Sequence, residues 1–87
     1  MKLAPVLDLS AARPLWIELC AATGTPLSID ASAVERLGGA CLQVLLAASA
    51  RWRAEGLAFS ITGASPVFVD AVGLMSAHEL APEETGQ

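Results

Sequence analysis

Four sets of residues have the types and spacing to do chemistry. Asp8 and Asp30 each close a short apolar run that reads as a strand, and in a parallel sheet both carboxylates fall at the same end, where ligands bind in open α/β sheets. Capping or turn hydrogen bonds are the ordinary role of such aspartates, and two carboxylates alone define no reaction. Cys41 follows Gly38-Gly39-Ala40 at the start of an apolar run. A thiol near a helix N-terminus is a candidate for a lowered pKa and redox sensitivity, against the plainer reading of a small apolar contact. His78 is the only histidine and has only Glu79 beside it, so a solvated surface histidine is expected and no metal centre. The Gly38-Gly39 pair lacks a following Lys-Ser/Thr, so a phosphate loop is the weaker reading of it than a tight loop-to-helix turn. No nucleophile-base pair or ligand cluster emerges, and the reading is of a non-enzymatic protein with no cofactor.

These residues need elements to position them. Leu3 to Leu9 reads as an edge strand because Pro5 cannot donate to a ladder, with Leu7 and Leu9 on one face around Asp8. Ser10 is the expected N-cap of a helix from about Ala11 to Ala22, with Pro14 in its opening turn and Leu15, Leu19 and Ala22 at helical spacing, Trp16 and Cys20 alongside. Thr23-Gly24-Thr25-Pro26 ends it. Leu27 to Asp30 is a strand, and Ala31 to Gly38 a connection anchored by Val34 and Leu37.

A second helix runs from Gly39 or Ala40 to Ala54 and stops at Gly56. Its spacing buries Leu42, Leu45, Leu46 and Trp52, and brings Gln43, Ala47, Ala50, Arg51 and Ala54 together on the opposite side. That side is poor in charge for a solvent face, as docking surfaces are, although alanine is also simply a good helix former. Leu57 to Thr62 is a third strand, and Ser65-Pro66 caps and opens a short helix to about Leu74. The order βαβαβα predicts an α/β fold with a small, mostly parallel open sheet covered by helices.

Composition bounds the function. The chain has 87 residues, 54% of them hydrophobic, enough for one core and too apolar for disorder. Five cations against nine acids give a net charge of −4, which offers nucleic acid no electrostatic footing. The longest central charge-free run, Leu37 to Ala50, falls short of the roughly 18 to 20 residues of a membrane span. Without direct membrane insertion or a secretory leader, a cytoplasmic location is expected. Cys20 and Cys41 have no CxxC or metal spacing and read as small buried hydrophobes in a reducing compartment. Residues 1–78 form the expected domain, and 79–87, with Glu79, Glu83 and Glu84, an acidic flexible tail.

The stretch from Leu27 to Leu46, together with Leu7-Asp8-Leu9-Ser10, Val34-Glu35-Arg36-Leu37 and the strand leading to Ser65-Pro66, resembles the STAS domains, the family of anti-sigma-factor antagonists. The resemblance spans about Val6 to Leu74 and implies a STAS-like sheet with a shortened N-terminus. It also implies a partner-binding surface on Gly38, Gly39, Ala40, Cys41, Gln43, Ala47, Ala50 and Arg51. Relatives carry Asp, Ser/Thr, Ser/Gly and Gly where this chain has Gly38, Gly39, Ala40 and Cys41, and the hydroxyl there is their phosphorylation switch. No Ser or Thr lies between Ser32 and Ser49, so the switch is expected to be absent. The resemblance points to a protein–protein interaction adaptor in signal transduction, of the stand-alone bacterial kind that binds a histidine kinase or kinase-like ATPase in chemotaxis. Pro14-Leu15-Trp16 and the Leu37 to Leu46 turn-helix also resemble the STAS subunits of lipid-transport ABC ATPase complexes. A small-ligand or nucleotide-binding module at Asp8 and Asp30 is a third reading, and an exposed sheet edge leaves room for a homodimer.

Overall fold

The structure, a computed structural model, describes residues 1–74. Its elements are β1 (Val6–Leu7), α1 (Leu9–Ala21), β2 (Leu27–Asp30), β3 (Arg36–Leu37), α2 (Gly39–Ala54), β4 (Phe59–Thr62) and α3 (Pro66–Leu74). The strands form two parallel pairs. In one, Val6 lies opposite Arg36 and Leu7 opposite Leu37. In the other, Leu27 to Asp30 lie opposite Phe59 to Thr62. The N-terminal segment ties the pairs together: Asp30 donates its N–H to the Met1 carbonyl at 2.8 Å, Leu3 donates to the Asp30 carbonyl at 3.0 Å, and Lys2 bridges to Asp30. Past Pro5 the same segment becomes β1, which gives the layer the order β4-β2-β1-β3.

That order fixes where the helices go. The β1-to-β2 and β3-to-β4 connections cross in the same direction, so right-handed crossovers put α1 and α2 on one side. There the two helices pack on each other. The β2-to-β3 connection runs the opposite way, and α3 joins it: the Ser65 hydroxyl donates to the Val34 carbonyl at 2.6 Å, and α3 packs on β3. The core includes Leu7, Leu15, Leu19, Ile29, Val34, Leu42, Leu45, Trp52, Ile61 and Phe68, each large apolar side chain contributing about 1.5 to 3 kcal/mol when removed from water. Small α/β architecture with parallel strands is therefore as the sequence predicts, and β2, α2 and the Ser65-Pro66 helix start fall where expected.

The N-terminal third departs from expectation. Only Val6–Leu7 of the predicted Leu3 to Leu9 run is a named strand, and Leu9 is the first residue of α1, so its side chain is 79% exposed and does not join Leu7 in the core. Asp8, not Ser10, occupies the N-cap, and the Ser10 hydroxyl donates back to Asp8 Oδ1 at 2.6 Å. Pro14 thus lies beyond the first turn and removes the N–H that the Ser10 carbonyl would accept, at an exposed position where water can replace it. The predicted connection after β2 contains the two-residue β3; Val34 and Leu37 are its buried anchors, and Glu35 and Arg36 are exposed. Cys20 is exposed, because it lies about 100° around α1 from Leu19.

Among the described residues no helix is long and apolar enough to cross a membrane. The expected acidic tail, with His78, lies outside the described residues.

Candidate functional site

Paired strands that end in register launch helices that start side by side. Leu7 and Leu37 are opposite each other, and the ladder continues one step further as Gly38 donates to the Leu7 carbonyl at 2.9 Å. Asp8 and Gly38 then become the N-caps of α1 and α2. A Cβ on Gly38 would lie 3.4 Å from the Leu7 oxygen and 4.0 Å from Asp8 Cα, so glycine allows the close approach of the two chains. Cys41 completes the join. Its side chain is fully buried, and Sγ–H donates to the Asp8 carbonyl at 3.2 Å. At the far end the Trp52 indole N–H donates to the Thr25 carbonyl, just after α1, at 2.7 Å, and its ring tilts against Phe59 at a centroid distance of 5.6 Å. Helices α1 and α2 are therefore held parallel and pinned at both ends.

The candidate partner residues fall into two groups. Gly39 is exposed, its Cβ position meets nothing within 4 Å, and Ala40 is half-buried. From there Gln43, Ala47, Ala50 and Arg51 run along one exposed side of α2, with Ala54 extending it. Arg51 Nε lies 3.5 Å from Glu55 Oε2, an i,i+4 pair between exposed side chains, of which about 0.3 to 0.5 kcal/mol is expected. Cys41 faces the other way, into the core, so it shapes the turn from behind.

Burial and the nearby Asp8 carboxylate push the Cys41 thiol pKa up. Of the two readings of Cys41, this favours the small apolar contact over the activated thiolate, because desolvation of the buried sulfur disfavours its charged form. The two aspartates are both engaged locally. Asp8 is held below the ordinary carboxylate value chiefly by the Ser10 hydroxyl. Asp30 is held low by the Ser32 hydroxyl and by the Ser32 N–H, 2.9 Å from Oδ1. Asp8 thus accepts a side-chain bond from Ser10 without a capping bond to the helix backbone, and Asp30 accepts a turn bond from the Ser32 N–H. The described residues contain no group of three potential metal ligands, and a shallow cleft of about 280 Å³ lies elsewhere, among Ser49, Arg53, Leu57 and Phe59.

What sequence reasoning missed on α1 is the exposure of Leu9 and Ile17 beside Trp16. Leu9, Trp16 and Ile17 are 79%, 41% and 57% exposed. Their spacing with Arg13 was the available signal, obscured by placing the helix start two residues late.

A strand pair ending in a glycine turn, an apolar helix behind it and a Ser-Pro-capped third helix together define a specific chain pattern. Residues 1–82 match the model of the family described as Mlab, STAS domain. The chain belongs to that STAS family. STAS domains are generally non-catalytic domains with protein-interaction or regulatory roles. No curated protein matches the chain.

Proposed function

We propose that this STAS domain is a non-enzymatic adaptor that docks on a histidine kinase or kinase-like ATPase through the 38–41 turn and the exposed side of α2, as part of a chemotaxis or related signalling system. The observation that carries the reading is the surface formed by Gly39, Gln43, Ala47 and Ala50: exposed, uncharged, and fixed at both ends by the Cys41–Asp8 and Trp52–Thr25 bonds. Such a face loses little solvation or side-chain entropy when covered. With Gly39 at the position of the family's phosphoacceptor, binding is constitutive: its control lies in partner abundance or in the partner's own state.

A second reading makes the partner the nucleotide-binding subunit of a lipid-transport ATPase. The Mlab name in the matched family's description favours it, as does Pro14-Leu15-Trp16. Affinity capture from extract of the source cell, with tagged wild type against Ala47→Glu/Ala50→Glu, separates the two. Recovery of a histidine kinase that the double variant loses supports the first reading. Recovery of a transport ATPase moves the assignment to the second, and recovery of neither sinks both.

A further inference from the structure

At the far end of α2 from the glycine turn, the cleft lined by Ser49, Arg53, Leu57 and Phe59 holds about 280 Å³. Ser49 is only 6% exposed, and its hydroxyl has no hydrogen-bond partner among the described residues. No polar side-chain atom among those residues is sealed from solvent without a partner, so this hydroxyl opens onto the cleft that its residue lines. Arg53, one turn further along α2 and exposed, has no side-chain partner among the described residues either. The last carbonyls of the helix are already met: those of Arg51, Trp52 and Arg53 accept from the N–H groups of Glu55, Gly56 and Leu57. The side chains therefore offer the cleft a hydroxyl and a guanidinium between apolar walls.

The main chain beside the cleft has a free side as well. Strand β4 pairs only with β2 among the described strands, and the Leu27 and Ala31 N–H groups donate to the carbonyls of Ala58 and Thr62. Alternate residues of a parallel ladder face the same neighbour, so Ala58, Ser60 and Thr62 face β2, while Phe59 turns its N–H and C=O to the open edge. Ile61 points the same way but is only 2% exposed, which confines access to Phe59. The Phe59 ring lies against Trp52 of α2. A residue paired opposite Phe59 would therefore put its side chain on the same helix-covered face, beside Ser49 and Arg53.

We propose that the cleft binds the carboxylate of an aspartate or glutamate in an extended segment of the partner, whose main chain pairs with Phe59. The carboxylate accepts from the Arg53 guanidinium and the Ser49 hydroxyl, and Leu57 and Phe59 shield both bonds from water. The inference rests on the interaction reading above and names the partner group that meets the flank of that surface, since Arg53 lies about 60° around α2 from Ala50. Local charge favours the acid. Arg51 and Glu55 pair with each other, about 160° around the helix from Arg53, and among the described residues no acid lines the cleft. Three of the nine acids, Glu79, Glu83 and Glu84, lie beyond residue 74, which leaves six against five cations in the described part. A second copy of this chain is disfavoured: a two-fold pairing of β4 edges would set Leu57 to Ala64 opposite Phe59, and that stretch holds no acid.

The test uses the full chain, isotopically labelled, and a short blocked peptide of threonines and valines, which favour extended backbone, with one central glutamate. Counterpart peptides carry glutamine or lysine at that position, and free glutarate forms a further arm. Saturable shifts of the Ser49, Arg53, Leu57 and Phe59 amides are expected with the glutamate peptide, at an affinity at least about tenfold above the glutamine one. Arg53→Glu should move the preference to the lysine peptide. Ser49→Ala should weaken glutamate binding about tenfold without lowering the melting temperature, because alanine is the better helix former.

Equal affinity for the glutamate and glutamine peptides, no saturable binding, shifts confined to other surfaces, or indifference to Arg53→Glu overturns the proposal. Glutarate binding as tightly as the peptide overturns it in favour of a free small acid, and concentration-dependent protection of the Phe59 amide without peptide overturns it in favour of self-association. Ala47→Glu, six residues from Arg53, separates this claim from the reading it rests on. If Ala47→Glu loses the captured partner and Arg53→Glu keeps it, this inference alone fails; if Arg53→Glu loses it and Ala47→Glu keeps it, the α2 surface is wrong and the cleft stands.

Discussion

Replacing Gly39 by serine would place a hydroxyl on the turn, and the structure gives the size of the effect. Gly39 is the first residue of α2, is exposed, has no positive φ, and has open space where its Cβ would be. Steric cost is therefore absent. The intrinsic preference then decides: glycine is about 1 kcal/mol worse than alanine in a helix and serine about 0.5 kcal/mol worse, so Gly39→Ser should gain about 0.5 kcal/mol. For a domain of this size that raises the melting temperature by about 2 to 4 °C. Gly38→Ser serves as the contrast, because its Cβ must fit 3.4 Å from the Leu7 oxygen; the few tenths of a kcal/mol that a serine cap gains over glycine are offset there, leaving the midpoint unchanged or lower. The assay is thermal unfolding followed by circular dichroism at equal concentrations. A drop of several degrees for Gly39→Ser would refute the reasoning, since it would mean that the turn has no room for the hydroxyl and that its absence is steric.

Three further outcomes follow from the same geometry. In native protein a thiol reagent should modify exposed Cys20 and spare buried Cys41, with both reacting after unfolding; equal native rates would contradict the burial and raised pKa of Cys41. Asp8 and Asp30 have folded pKa values below their ordinary 3.8, so they contribute stability above that pH and lose it as pH falls through the folded values. Ser10→Ala should shift the Asp8 titration back up toward 3.8 by nuclear magnetic resonance, and an unmoved midpoint would remove the serine as its cause. Ser65→Ala removes the oxygen that accepts from the Phe68 N–H at 3.2 Å and the donor to the Val34 carbonyl at 2.6 Å. A loss of about 1 to 2 kcal/mol in denaturant unfolding is expected, and a loss under 0.3 kcal/mol would mean that α3 is not held by this cap.

How far the sequence was legible depends on how local each signal is. β2 and α2 fall where the residues place them, because an apolar run with turn residues on either side and a long Leu/Ala-rich helix stopped at Gly56 are self-contained patterns; Gly56 indeed has φ of +72°. β3 was not legible. Two residues, one of them an exposed arginine, form a strand only because Val6–Leu7 supplies their partners and the Pro5 carbonyl accepts from the Glu35 and Arg36 N–H groups at 2.7 and 3.1 Å. The start of α1 was misread because Asp8 and Ser10 are both good caps, and what decides between them is the placement of Leu7 in the β1–β3 pair. The candidate surface on α2 was legible as a helical side, and Gln43, Ala47, Ala50 and Arg51 are all exposed. That Cys41 belongs behind the turn was not, since its contact with Asp8 spans two elements far apart in sequence.

The most direct test of the account is a binding isotherm between the purified captured partner and two forms of the full chain, wild type and Ala47→Glu/Ala50→Glu, matched for melting temperature. Both positions are exposed, so the fold should survive, and two buried, unpaired carboxylates at the interface should weaken binding by at least about tenfold. An unchanged dissociation constant with both forms folded would show that the exposed side of α2 is not where this domain meets its partner.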